Sequence, residues 1–326
     1  MVVANSPLPT RRSARLAARS KNVTTRDSDG GKSKTRPSFL QILKKAGWRA
    51  LGGGLPGFLA MMIQVIALMW MRTIVNYQYK SGGTFEEAFK TLYAEGGVGR
   101  FYKGFWFAIM VGPLGRFGDT AANEGILAVM AEMFPAVPVV IATMLASCGA
   151  AAWRATTQPL QNMKTLLQVE GNMAFSIMSS KIKDVGTVPA LWDGLLGTMM
   201  STWLGHYPWF AVSNFLRQLW PEDKKASTAM KLMRNAIIGF CSQVVADCFS
   251  NWLRAITTKK QTMQESLSYI AVTQIIIDEN GGGWQGILGL MGRGLITKIL
   301  SNGIQAMLFS VLWKYFEAKY KDYHKK

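Results

Sequence analysis

EGGVGRFYKG, residues Glu95–Gly104, sets how the rest of the chain is read, because its pattern returns as VGTVPALWDG (Val185–Gly194) and QGILGLMGRG (Gln285–Gly294). In each stretch a Gly eight residues before the last one opens the pattern (Gly96, Gly186, Gly286), and a charged residue, Lys103, Asp193 or Arg293, precedes the closing Gly. The closing glycines stand 90 and then 100 residues apart. Self-similarity at a fixed period is the mark of a repeated structural unit. Upstream, Gln78, Gln168 and Gln261 each end an apolar span: MWMRTIVNYQ, PLQNMKTLLQ and WLRAITTKKQ. Each unit therefore reads as a long apolar helix, a short surface helix, a Gly-bounded turn and a second apolar helix. TFEEAFKTLYAEGG shows the surface element: Thr84 caps, Glu87 completes a capping box, and Phe85, Phe89 and Leu92 form an apolar face.

The composition fits a membrane protein. Of 326 residues 49% are hydrophobic and 17% charged, against roughly 25% charge in an ordinary soluble domain. Uncharged runs of 22, 21 and 23 residues lie between Arg49 and Arg72, Glu132 and Arg154, and Asp193 and Arg217. Each is long enough to cross a hydrocarbon core, which takes about 20 helical residues. Three more apolar segments carry charge: 104–131 with Arg116, Asp119 and Glu124; 235–258 with Asp247 and Arg254; 295–316 with Lys298 and Lys314. The mean hydropathy of +0.12 is low for a bundle wrapped wholly in lipid and implies that some helix faces meet water. Three Cys and two His exclude a disulfide scaffold and most metal clusters.

The net charge of +18 is partly local, since residues 1–46 hold eleven Lys and Arg but only two acids, Asp27 and Asp29. Residues 1–45 form a basic extension too poor in large apolar side chains to fold, and are expected to be disordered. It reads as an organelle presequence, as a solvated extension along a membrane surface, or as a nucleic-acid-touching patch. The body carries the other half of the excess charge over a much longer stretch, so no nucleic-acid partner is expected for it.

With these features the chain resembles the mitochondrial carrier family, over roughly residues 45–318. That family has three tandem repeats and six membrane helices around a central cavity. Its odd helices end in P-x-[DE]-x-x-[KR]-x-[KR]-x-Q, and each surface helix leads into E-G-x-x-x-(aromatic)-[KR]-G. QPLQNMKTLLQ is the best copy of the first motif, with Pro159, Lys164 and Gln168 in place and Gln161 where the acid belongs. EGGVGRFYKG is a good copy of the second, one residue longer than the commonest spacing. The other proline motifs are degraded, to Met69, Met71 and Ile74 in the first repeat and Trp252, Arg254 and Thr257 in the third. The resemblance implies an all-α fold of six membrane helices in three repeats with short surface helices, a pseudo-threefold bundle. The repeats would be 46–134, 135–226 and 227–318, followed by a basic tail at 319–326. It also implies a multi-pass protein of the mitochondrial inner membrane, with both termini on the cytosolic side.

The resemblance further implies where to look for function. The matrix-side gate falls on Gln161, Lys164 and Arg254, which offer two cations and no acid. The cytosolic-side gate falls on Glu124, Leu127, Asn214, Arg217, Lys314 and Glu317, supporting Glu124 with Arg217 and Asn214 with Glu317. Arg217, Lys314 and Glu317 equally suit interfacial anchors reaching for water. Gln64, Arg154 and Asp247 share one depth, where carriers bind substrate, and Arg154 is expected to pair with Asp247. The even-helix contact positions are Val111 and Gly112, Ser201 and Thr202, Ser301 and Asn302. Arg116, Asp119, His206 and Lys298 lie one or two turns away. Polar groups at membrane depth are functional candidates by default. Charges of both signs suggest an amino-acid-like, zwitterionic solute. The alternative is internal neutralisation, Arg116 with Asp119 and Arg154 with Asp247.

Other signals carry little. GGGWQG (Gly281–Gly286) matches G-x-G-x-x-G without the preceding strand a dinucleotide site needs. Cys241 and Cys248 share a helical face and read as packing, His206 alone makes no metal site, and no nucleophile–base arrangement supports an enzyme. The expected activity is alternating-access transport of a small solute. Its alternative is a transport-inactive carrier fold serving as a structural subunit of a membrane complex, such as a respiratory one. The expected partners are membrane lipids, the solute and that complex. No cofactor is expected beyond a bound phospholipid such as cardiolipin.

Overall fold

The computed structural model describes residues 54–134, 136–223, 226–305, 307, 308 and 312. The basic extension 1–45, the tail 319–326, Lys314 and Glu317 lie outside the described residues, as do the side chains of Arg116, Asp119 and Glu124. Every regular element among the described residues is helical, in line with the all-α expectation.

The elements alternate long and short. The first long helix, α1 (Gly54–Ser81), leads to the surface helix α2 (Phe85–Phe101) and the long α3 (Phe105–Met133). Next come α4 (Val139–Glu170), the short α5 (Ala174–Val185) and α6 (Thr187–Leu191), and the long α7 (Leu195–Leu219). The last set is α8 (Thr228–Thr262), α9 (Tyr269–Glu279), α10 (Gly283–Gly292) and α11, residues 295–305.

Local chemistry sets the boundaries. Thr84 starts α2 with the expected capping box: its Oγ1 accepts from the Glu87 N–H at 3.3 Å, and the Glu87 carboxylate accepts from the Thr84 N–H at 2.8 Å. That backbone bond, with a second from the Thr84 hydroxyl, holds the Glu87 carboxyl below the usual carboxylate range. Ser227 and Ser268 cap α8 and α9 more simply, each hydroxyl accepting from a backbone N–H three residues on, of Met230 and Ala271. The closing glycines Gly104, Gly194 and Gly294 have φ of +81°, +77° and +64°, so each turns the chain through the left-handed region just before a long helix. Only Gly takes that region at no steric cost.

The third turn lies elsewhere than the spacing predicts. Gly286 sits inside α10, and the chain turns at Gly281–Gly283, whose φ values are +94°, +71° and +50°. The Gly-rich run GGGWQG offers several turn positions, and the chain turns at the earlier ones, leaving Gly286 in the helix. No strand precedes that run: it joins α9 to α10.

The packed core lies where the long helices end on the short ones. Ile74 of α1 packs with Ala88, Leu92 and Phe101 of α2. Met163, Leu166 and Leu167 of α4 pack with Ala174, Ile177 and Met178 of α5 and Ala190 of α6. Ala255 and Ile256 of α8 pack with Val272 and Ile276 of α9, Leu290 of α10, and Val75 and Tyr79 of α1. The last cluster ties α8, α9 and α10 to α1. Helices α1, α4 and α8 also meet one another pairwise.

Away from this core the amphipathicity is inverted. Trp106, Met110 and Leu114 of α3 point outward, as do Leu196, Met200, Trp203 and Tyr207 of α7, and Ile296, Leu300 and Ile304 of α11. Each set recurs every three or four residues, a continuous apolar stripe on one helix face. The buried faces instead hold Gln64, Gln158, Asn162, Ser201, Asp247, Asn251, Lys298 and Ser301. By length and hydropathy alone one helix among the described residues, Ala229–Thr262, qualifies as a membrane span.

Candidate functional site

The buried polar interior centres on Asp247 of α8, which is 2% exposed. Its carboxylate accepts from Asn302 Nδ2 at 2.6 Å and Gln243 Nε2 at 3.0 Å, and Lys298 Nζ lies 3.0 Å away in an ion pair. Lys298 and Asn302 are four apart on α11 and so share the face that meets α8. Gln243 stands one turn before Asp247. The carboxylate is fully answered from α8 and α11, and the expected pairing with Arg154 is not made. The nearest cation wins because attraction in a low-dielectric interior falls with distance. Arg154 instead lies half-buried on α4 against Gly115, where a Cβ would come within 3.0 Å of Nη1.

The other predicted interior residues separate into two groups. Gln64 of α1 is buried and donates to the Gln305 carbonyl at 2.9 Å, bridging α1 to α11. Ser201 and Thr202 are buried, but both hydroxyls donate to the Thr198 carbonyl, at 3.0 and 2.8 Å. They satisfy their own helix rather than offering a free group. His206 is half-buried on α7, Val111 and Ser301 are buried, and Gly112 is half-buried.

Sequence reasoning missed Gln243, Gln305, and the pair in which Tyr79 Oη donates to Asn251 Oδ1 at 2.8 Å. Asn251 in turn donates to the carbonyls of Met291 and Arg293, at 3.0 and 2.9 Å. The signal was present: Gln243, Asp247, Asn251 and Arg254 fall on one face of α8 at helical spacing.

At the expected matrix-side gate, Gln161 accepts from Lys164 Nζ at 3.0 Å, and Arg254 is exposed. An acid enters beyond these positions, where Lys80 at the end of α1 pairs with Glu170 at the end of α4. At the expected cytosolic-side gate, Arg217 donates to Ser213 Oγ at 3.4 Å and Asn235 Oδ1 at 3.3 Å, while Asn214 is exposed and Leu127 half-buried. Arg217 thus anchors α7 to α8. Its expected partner Glu124 lies outside the described side chains.

A second constellation was unforeseen. Arg100, four residues before Gly104, is 5% exposed; it donates to the Gln168 and Val169 carbonyls at 2.8 and 2.5 Å and to Glu95 at 2.6 Å. Lys181, 1% exposed, donates to the Lys260 and Gln261 carbonyls at 3.1 and 2.9 Å and to Asp193 at 2.9 Å. Arg293 donates to the Gln78 and Lys80 carbonyls at 3.1 and 3.0 Å and to Glu279 at 2.9 Å. In each case a buried cation, itself held by an acid, caps the last carbonyls of the next long helix: α4, then α8, then α1. Those carbonyls belong to the last turn, where the helix leaves its C=O groups open (that of Gln78 is shared with the Gly82 N–H at 2.8 Å), and they carry the negative end of its dipole. The sequence reading aligned Lys103 with Asp193 and Arg293, whereas Lys103 donates to Asn172 at 2.7 Å and Arg100 plays the clamping part.

The clamps carry a distinct electrostatic signature. Burial pushes the Lys181 ammonium below the usual lysine range, although the Asp193 charge and hydrogen bond pull it back. Burial would raise the Glu279 carboxyl, but the hydrogen bonds from Lys259 and Arg293 outweigh it and hold it low. Lys260 Nζ adds a second cation 2.9 Å from Asp193.

No family model matches the chain, and no curated protein matches it in sequence.

Proposed function

We propose that the chain is a three-repeat, six-span membrane protein of carrier type that moves a small amino-acid-like solute across an organelle inner membrane, the mitochondrial one, by alternating access. The observation that carries this reading is the inverted amphipathicity: apolar stripes on the outer faces of α3, α7 and α11, polar side chains within. In lipid, helices place apolar faces outward and reserve polar groups for the interior or a water-filled path. The recurrent order of long and short helices and the three clamps that link each set to the next favour the repeat reading. Prolines 113, 159 and 208 inside α3, α4 and α7 suit membrane helices, which tolerate them where neighbours satisfy the freed backbone groups. The opposite charges of Asp247 and Lys298 favour a solute carrying both signs. An apolar groove of about 390 Å³ beside Leu196, Met200, Trp252 and Ile270 suits the acyl chain of a bound phospholipid.

The test is uptake into liposomes carrying the purified full chain and preloaded with unlabelled amino acids. Labelled amino-acid exchange, lost in Asp247→Asn, is expected. No exchange of any amino acid or other organelle metabolite overturns the reading. A second reading, a transport-inactive carrier fold within a membrane complex, is favoured by one observation: Lys298, Asn302 and Gln243 already satisfy Asp247, so the interior needs no solute. Co-migration with a large complex on native gels, together with absent exchange, supports that alternative.

A further inference from the structure

Carboxylates are scarce on the three long helices whose ends meet the short ones. α1 has none, α4 has only Glu170, its last residue, and α8 has only Asp247. Asp247 stands fifteen residues before Thr262, the end of α8, so roughly 22 Å of helix separates it from this end. Glu170 is therefore the one carboxylate that α1, α4 and α8 place there, and it is paired with Lys80 in the last turn of α1. One turn earlier on the same face of α1, Asn76 Nδ2 donates to Gln168 Oε1 of α4 at 2.7 Å.

Both bonds stand on fixed backbone. The Lys80 carbonyl accepts from Arg293 and the Gln168 carbonyl from Arg100, so buried cations hold the helix ends that carry them. The end of α8 lies alongside, where Ala255 and Ile256 pack on Val75 and Tyr79. The pair is intermediate in exposure, 31% for the Lys80 side chain and 15% for Glu170. A fully exposed pair contributes next to nothing, and a fully buried one strands desolvated charges whenever it parts. A half-exposed pair stabilises the closed contact and regains water when it opens, as a contact that breaks and reforms requires.

We propose that Lys80–Glu170 and Asn76–Gln168 together form a latch across the ends of α1 and α4. Closed, it shuts the polar interior at the end where Gln161, Lys164 and Arg254 supply no acid. Parted, it opens a path from water toward Asp247 and its neighbours. The inference rests on the reading of α1, α4 and α8 as membrane helices around a solute path, but its test uses no solute. Absent exchange leaves the latch standing, and unmoved helix ends leave the exchange result standing.

The full chain, with Cys148, Cys241 and Cys248 replaced, is spin-labelled at Ser81, beside Lys80, and at Met173, just past α4. Both positions are exposed. Dipolar coupling between the labels reads their separation in phosphatidylcholine bilayers. Lys80→Glu sets two carboxylates against each other, and Glu170→Lys two ammonium groups. Each is expected to lose about half or more of the short-separation signal to a longer one, as an attractive pair turns repulsive. The double swap, Lys80→Glu with Glu170→Lys, restores the short separation. A second label pair, Ser81 with the exposed Gln264 past the end of α8, keeps its separation throughout, because Tyr79 and Arg293 still join α1 to Asn251. Asn76→Ala leaves every charge in place, lengthens the Ser81–Met173 separation to a smaller degree, and serves where a reversal does not fold. Unchanged Ser81–Met173 coupling in every single variant, no recovery in the swap, or equal lengthening of both label pairs overturns the proposal.

Discussion

Replacing Asp193 with Asn is a demanding test of the clamps. Asp193 is 6% exposed and receives two cations, Lys181 at 2.9 Å and Lys260 at 2.9 Å. Lys181, at 1% exposure, has no route to water. The amide keeps the shape and removes the charge, leaving two ammonium groups together. Breaking a buried pair from one side costs about 3–5 kcal/mol, because the stranded charge keeps its desolvation penalty. For a chain of this size that corresponds to a fall in thermal midpoint on the order of 10 °C. The assay is thermal unfolding in detergent, followed by tryptophan fluorescence. The pH dependence gives a second reading. A lysine whose folded pKa lies below its unfolded value, near 10.4, destabilises the fold fully at pH below the folded value. That penalty is relieved as pH rises from the folded to the unfolded value, so stability increases across that window. Without the Asp193 charge the Lys181 value falls further and the window widens, so raising the pH from 7 to 10 recovers more stability in Asp193→Asn than in wild type. The double variant Lys181→Met with Asp193→Leu recovers a large part of the loss. An Asp193→Asn midpoint within 1 °C of wild type, flat with pH, would refute the reasoning.

Three further outcomes follow from the same geometry. The Glu279 carboxyl is held low by Lys259 and Arg293, so its contribution is complete above the unfolded value near 4.3 and is lost as pH falls through the folded value beneath it; Glu279→Gln flattens that acid limb in midpoints measured from pH 6 to pH 3. Thr84→Ala removes the capping box of α2 and costs about 1 kcal/mol, read as a lowered thermal midpoint, whereas Thr84→Ser restores it. Gly194→Ala puts a Cβ 2.7 Å from Gln261 Cγ at a φ of +77°, and the combined strain and clash cost about 1–3 kcal/mol in a thermal-unfolding assay, more than Gly239→Ala, whose Cβ meets open space.

The sequence reading anticipated the helices better than the contacts between them. Thr84, Glu87 and the glycines at 104 and 194 act within a few residues of themselves, so spacing alone locates the turns they make. At Gly281–Gly286 several glycines offer the same freedom, and the helix α10 chose among them by packing that spacing does not encode. The Asp247 pairing failed for another reason. Placing Arg154 and Asp247 at one depth says nothing about which way each side chain points around the helix, and Lys298 was nearer. Arg100 was overlooked because aligning on the closing glycine favoured Lys103. Its role depends on the end of α4, some seventy residues away, where open carbonyls need a donor.

The central claim is that the outer stripes face lipid while Asp247 and its partners face an interior that solute reaches. Spin labels on single cysteines, introduced after replacing Cys148, Cys241 and Cys248, test it in liposomes. Labels at Met110, Met200 and Leu300 are predicted to collide with lipid-soluble oxygen and to be shielded from a water-soluble nickel chelate. A label at Asn302 is predicted to show the reverse. Nickel accessibility at the outward positions equal to that at Asn302 would contradict the account.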